Sequence, residues 1–101
     1  MDHRKEYKQA LVMDASTPMY ANANAAAAAL QDKRYDTVYY KAQNGRTVEV
    51  DVERVTEKHQ DYTLRSYRLW IAYADGERER IFYQYYDNLK DVKARVRQYA
   101  R

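Results

Sequence analysis

The stretch Tyr67–Gln84, YRLWIAYADGERERIFYQ, decides the fold, because one choice of turn sorts it into two unlike faces. Asp75-Gly76 marks a β-hairpin. With Ala74, Asp75 and Gly76 as a three-residue loop and Gly76 at its left-handed position, Tyr73 faces Glu77 and Leu69 faces Ile81. One face then collects Tyr67, Leu69, Ile71, Tyr73, Ile81, Tyr83 and Tyr85. The other collects Arg68, Trp70, Arg78, Arg80 and Phe82, with Trp70 opposite Arg80 and Phe82 opposite Arg68, so cations and rings alternate where neighbouring strands touch. This second set reads as a binding surface.

Upstream, period-two alternation begins at Tyr35. Val38, Tyr40 and Ala42 alternate with Thr37, Tyr39 and Lys41, and after Asn44-Gly45 the valines Val48, Val50 and Val52 alternate with Thr47, Glu49, Asp51 and Glu53. A two-residue Asn-Gly turn would align the valines with Tyr39 and Lys41. A three-residue loop, Gln43 to Gly45, aligns them with Val38 and Tyr40, and burial favours that register, with Val50 beside Val38. The spacing slips between Val52 and Val55, which predicts a bulge near Glu53-Arg54 or the end of the strand. TEKHQD, residues 56–61, reads as a polar connection.

Helices are expected at both ends. Thr17 caps and Pro18 opens a helix reaching about Lys33, with Met19, Ala23, Ala26, Ala27 and Leu30 on one side. Residues 1–16 read as a flexible or helical arm. At the other end Asn88 or Asp87 caps a helix whose stripe of Leu89, Val92, Val96, Tyr99 and Ala100 suits a sheet. Lys90, Lys93, Arg97 and Arg101 fall on one flank of it, and residues 88–101 carry five cations against Asp91, +4 where the whole chain has +3. The expected architecture is therefore α+β in two layers and one domain over 1–101: helix 17–34, a four-stranded antiparallel meander over 35–86, and helix 87–101 packed on one face of the sheet.

Composition narrows the classes. At 101 residues the chain can bury one core without staples. It has no cysteine, so disulfides and thiolate chemistry are absent. MDHRKEYK is followed by no apolar stretch and ANANAAAAAL is too short to span a bilayer, so a cytoplasmic, non-membrane protein is expected. Twelve tyrosines beside one Phe and one Trp favour half-buried or contact-making surfaces.

Catalytic patterns are weak. Ser16 and Ser66 lack an elbow or glycine-rich setting, and the two glycines, Gly45 and Gly76, are used by turns, leaving no phosphate-cradling loop. His59, Asp61 and Glu57 have no further metal ligand and read as solvated loop residues. Glu49, Asp51 and Glu53 share a face, which suits acid/base chemistry, but charges guarding an exposed strand against pairing explain them more simply. No enzyme, cofactor or metal is expected.

The Arg68, Trp70, Arg78, Arg80, Phe82 face has a bland reading too: a solvated surface on which Arg stems shield the rings, or a face covered by residues 1–15. The order strand, turn, strand, helix over WIAYADGERERIFYQYYDN and the helix after it resembles, in outline and at the level of fold only, the AP2-type domains and the arm-binding domains of phage integrases, in which a sheet bearing Arg and aromatic residues enters the major groove. Four strands and an N-terminal helix depart from that pattern. The leading expectation is a DNA- or RNA-binding protein using these five residues with Lys90, Lys93, Arg97 and Arg101. The runner-up is a protein-binding inhibitor or adaptor, of the kind phages and mobile elements direct at a host defence enzyme, occluding its partner with the Tyr-rich surface.

Overall fold

The computed structural model describes residues 18–74 and 80–99. In chain order they form β1 (Met19–Tyr20), α1 (Ala23–Ala29), β2 (Tyr35–Lys41), β3 (Thr47–Lys58), β4 (Thr63–Tyr73), β5 (Arg80–Tyr86) and α2 (Leu89–Gln98). The strands make one sheet in the order β1-β2-β3-β4-β5, with β1 parallel to β2 and the other neighbours antiparallel. The class is α+β as expected, but the sheet has five strands and is mixed. The added strand, Met19–Tyr20, is two residues long, too short to leave an alternating pattern in the sequence.

That strand also accounts for the shortened first helix. The expected start at Thr17-Pro18 gives way to a start at Ala23, where the Asn22 side chain accepts a hydrogen bond from the Ala25 amide at 2.9 Å. Asn is among the best cap residues. Drawing Met19 and Tyr20 into the sheet, where they pair with Tyr39 and Tyr40, leaves Asn22 as the next cap available. Ala23, Ala26, Ala27 and Leu30 are inside as expected, but Met19, expected beside them, belongs to β1 and is exposed. Thr17 and the arm 1–16 lie outside the described residues.

The turn between β2 and β3 sets the register of the sheet. Lys41 pairs with Thr47, and the three-residue loop ends on Gly45 at φ +84°, a conformation that side chains resist. Ala42 donates to the Arg46 carbonyl at 2.9 Å and Gly45 to the Ala42 carbonyl at 3.0 Å, closing the loop from within. Val50 therefore meets Val38, and Val48 meets Tyr40. Across the next pair Val50 meets Ile71 and Val52 meets Leu69. These residues form a core with the alanine side of α1 and with Val92 and Val96 of α2, all buried.

Two expectations about the strands are corrected. No bulge interrupts β3: it pairs with β4 without a shift from Val48 through Lys58, so Thr56–Lys58 belong to the strand and the connection shrinks to a turn in which His59 donates to the Tyr62 carbonyl at 2.8 Å. The β4–β5 register is displaced by three residues. Leu69 lies opposite Gln84 rather than Ile81, and Ile71 opposite Phe82, with an irregularity at Ile71/Ala72. An odd displacement turns β5 over. Phe82 packs against the core with its ring 5.1 Å from that of Tyr99, while Tyr83 and Tyr85 face the opposite side. The exchange buries the ring that has no polar atom and leaves two phenols in contact with water. The expected loop residues Asp75 and Gly76 lie outside the described residues.

The described part of the stripe on α2 falls as its spacing predicts: Val92 and Val96 are fully buried and Leu89 and Tyr99 partly so, while Ala100 lies outside the described residues. Asn88 caps the helix by accepting from the Asp91 amide at 2.8 Å. Tyr40 crosses from β2 to donate to the Tyr99 carbonyl at 3.0 Å, which satisfies a backbone acceptor at the end of α2. Burial, reinforced by the neighbouring Tyr73, pushes the Tyr40 phenol up to about 12. No helix among the described residues is long and apolar enough to cross a membrane.

Two outcomes are expected. Val96→Asp places an unpaired carboxylate among apolar side chains and lowers stability by roughly 3–5 kcal/mol, whereas Arg97→Ala on the exposed flank changes it by less than about 0.5 kcal/mol. Equal effects in urea denaturation would contradict this helix orientation. Tyr40 holds its proton more tightly folded than unfolded, so its contribution to stability is complete below its ordinary value of 10.0 and is lost as pH rises toward about 12. Tyr40→Phe should flatten the alkaline decline of stability over that window; an unaltered decline would show that Tyr40 does not cause it.

Candidate functional site

Register dictates what lies on the side of the sheet away from the helices. Rows run across the strands: Tyr35, Glu53, Arg68 and Tyr85; then Thr37, Asp51, Trp70 and Tyr83; then Tyr39, Glu49 and Ala72. The backbone of Arg80 pairs with Ala72 and not, as expected, with Trp70, whose partner is Tyr83. Down the middle, on β3, stand three carboxylates. Each accepts a hydroxyl from β2: Tyr35 to Glu53 at 2.9 Å, Thr37 to Asp51 at 2.8 Å, and Tyr39 to Glu49 at 3.4 Å.

The acids were expected on an exposed strand, and that expectation fails. The strand is the third of five, Glu49 is 0% exposed and Asp51 4%. Buried carboxylates are costly unless hydrogen-bonded, and the hydroxyls of Tyr35, Thr37 and Tyr39 supply bonds. The signal was present: once the Gln43–Gly45 loop is chosen, these three hydroxyls fall opposite Glu53, Asp51 and Glu49. The Tyr35 phenol is raised first by burial and then by its bond to Glu53.

Trp70 lies on this side as expected but is buried, at 8% exposure, with the Tyr83 ring 5.1 Å away. Tyr85 stands edge-on to Tyr83 at 5.8 Å, and both tyrosines are exposed. Arg68 is half-buried and held by its surroundings, with Nη1 at 3.4 Å from Glu53 and its guanidinium 5.2 Å from the Tyr85 ring. Phe82 is not here but on the helix side, so its proposed role beside Arg68 is withdrawn. Arg78 and Arg101 lie outside the described residues.

Lys90, Lys93 and Arg97 are on α2, across the sheet from Arg68 and Trp70. Lys90 and Arg97 are exposed and Lys93 half-buried. The cations of α2 and Arg68 thus lie on opposite sides of the sheet. They also differ in commitment. Arg54 and Arg65 both reach Asp32, at 3.4 and 3.5 Å, Arg68 reaches Glu53, and Arg95 donates to the Tyr86 hydroxyl at 3.0 Å. Lys90, Lys93, Arg97 and Lys58 enter no ion pair among the described residues.

The sequence reading missed a projecting feature. β2 stops pairing at Glu53 and β5 at Tyr67, so 55–58 and 63–66 continue as a two-stranded ribbon. At its base a cavity of about 360 Å³ is lined by Arg34, Glu53, Arg54, Val55 and Thr56. Among the described residues no group of His, Asp and Glu is arranged to hold a metal ion. No family model matches the chain, and no curated protein or solved structure matches it either.

If the hydroxyl–carboxylate rows stabilise the buried acids, Thr37→Val should lower stability by about 1–3 kcal/mol, with Thr37→Ser recovering most of it. Full stability of Thr37→Val in urea denaturation would show that the Asp51 carboxylate does not depend on this donor.

Proposed function

We propose that the protein is a non-enzymatic nucleic-acid-binding protein that meets DNA or RNA with the helix-bearing side of its sheet. The observation that carries this reading is the set Lys90, Lys93 and Arg97, three cations spaced along one flank of α2 and joined to no carboxylate among the described residues. Lys90–Lys93 and Lys93–Arg97 are like-charge neighbours on a helix, each pair costing roughly 0.2–0.5 kcal/mol. Lys90 also occupies the first turn, where the helix dipole disfavours a cation. A polyanion relieves both penalties. The opposite side suits phosphate less well, because Arg68 is engaged by Glu53 and the middle of that side is a row of carboxylates.

A second reading rests on Tyr83 and Tyr85, exposed by 38% and 49% beside Trp70 and Arg68. Tyr, Trp and Arg dominate the energetic centres of protein interfaces. A protein partner, such as an enzyme that an inhibitor or adaptor occludes, would dock there.

The two readings separate in solution. Affinity for a DNA or RNA probe, followed by fluorescence anisotropy, should fall linearly with the logarithm of salt concentration, and Lys93→Ala with Arg97→Ala should reduce the slope by about 0.9 per lost phosphate contact. Arg68→Ala should leave the slope unchanged. Absence of binding to either nucleic acid at low salt, together with a protein partner that survives nuclease treatment, would favour the second reading.

A further inference from the structure

We infer that the ribbon formed by 55–58 and 63–66 enters the major groove of double-stranded DNA, its helix-side face toward the bases. This rests on the nucleic-acid reading and adds to it the class of nucleic acid and the element that reads it. The ribbon's two faces differ. The alternation that points Val52 and Leu69 at the helices puts Thr56, Lys58, Thr63 and Arg65 on the helix side. All four are exposed and none is acidic. The other face carries Val55, Glu57, Leu64 and Ser66.

Dimensions agree with that occupant. Four residue pairs extend about 13 Å at roughly 3.3 Å per residue, and paired strands lie about 4.8 Å apart. A major groove about 12 Å wide and 8.5 Å deep admits such a ribbon with its side chains. The A-form RNA major groove is too narrow and deep for it. Arg and Lys are the side chains that pair with guanine O6 and N7, and threonine hydroxyls bond to base edges or phosphates. Among the described residues the Arg65 side chain is held by an exposed contact with Asp32, 3.5 Å at 57% exposure of its side chain, so it can exchange partners at small cost.

The tip is organised before any ligand arrives. His59 donates to the Tyr62 carbonyl at 2.8 Å and the two rings stack at 4.6 Å and 19°, holding the strands in register. Order in advance lowers the entropy lost on docking. At the base, Tyr86 pairs with Tyr67 and α2 begins at Leu89, so the start of its cationic flank lies on the same side as Lys58 and Arg65.

A short mixed-sequence DNA duplex, the RNA duplex of the same sequence and each single strand are titrated with the full chain, and the DNA complex is footprinted with dimethyl sulfate, which methylates guanine N7 in the major groove and adenine N3 in the minor. The DNA duplex should bind best, with guanine N7 protected. Lys58→Ala with Arg65→Ala should weaken duplex binding on the order of tenfold and abolish that protection. Lys58→Glu alone, at a side chain with no described partner to lose, should do the same without disturbing the fold. Unchanged duplex affinity and N7 protection in these variants, or equal binding of the RNA duplex, would overturn the ribbon's role while leaving nucleic-acid binding through α2 in place. Failure of the wild-type chain to bind any of the four probes would overturn both.

Discussion

Strand β3 is buried on both sides at its centre, and the rest of the molecule is arranged around that constraint. Val48, Val50 and Val52 point into the core beneath the helices, while Glu49 and Asp51, between them in sequence, are buried on the opposite side. A slip of one residue would exchange the two rows, placing carboxylates against Val92 and Val96 and valines against the hydroxyls of β2. Each misplaced charge would cost several kcal/mol, so the register is specified strongly. Gly45 is where that specification begins. Its left-handed φ closes the three-residue loop that pairs Lys41 with Thr47, and each pairing along β2 and β3 follows from that one.

The same arrangement divides the protein's charge. On the side away from the helices, acids, hydroxyls, Arg68 and aromatic rings among the described residues satisfy one another in rows. On the helix side, Lys58 of the projecting ribbon and Lys90, Lys93 and Arg97 of α2 enter no ion pair among the described residues. Arg54 and Arg65, sharing Asp32, stand between these conditions. A net charge of +3 over 101 residues would not by itself suggest a polyanionic partner; the proposed one rests on this contrast between engaged and unengaged cations.

How far the fold could be read from the sequence depended on whether a local pattern had one burial-compatible solution. The α2 stripe, the alanine side of α1 and the β2–β3 register each had one, and each is found. The final hairpin had two. Ile81, Tyr83 and Tyr85 alternate with Phe82, Gln84 and Tyr86, and either set can line a core; the difference is the Phe82 ring, which has no polar atom to hydrate. Met19 and Tyr20 are too few to show any period. Val55 lies opposite Ser66 on the side away from the helices, so its spacing from Val52 resembled a break in a strand that in fact runs on to Lys58. The ribbon was hidden by that misreading, and its cations with it. For the candidate site, the cations of α2 were legible from helical spacing, whereas the turning over of β5 that takes Phe82 away from Arg68 was not.

Amide and indole chemical shifts of the labelled full chain, followed by NMR as a DNA duplex is added, distinguish the two sides of the sheet. Perturbations are expected at Lys58, Thr63, Arg65, Lys90, Lys93 and Arg97, with the Trp70 indole and the amides of Tyr83 and Tyr85 unmoved. Shifts centred on Trp70, Tyr83 and Tyr85, or a spectrum indifferent to the duplex at low salt, would contradict binding on the helix side.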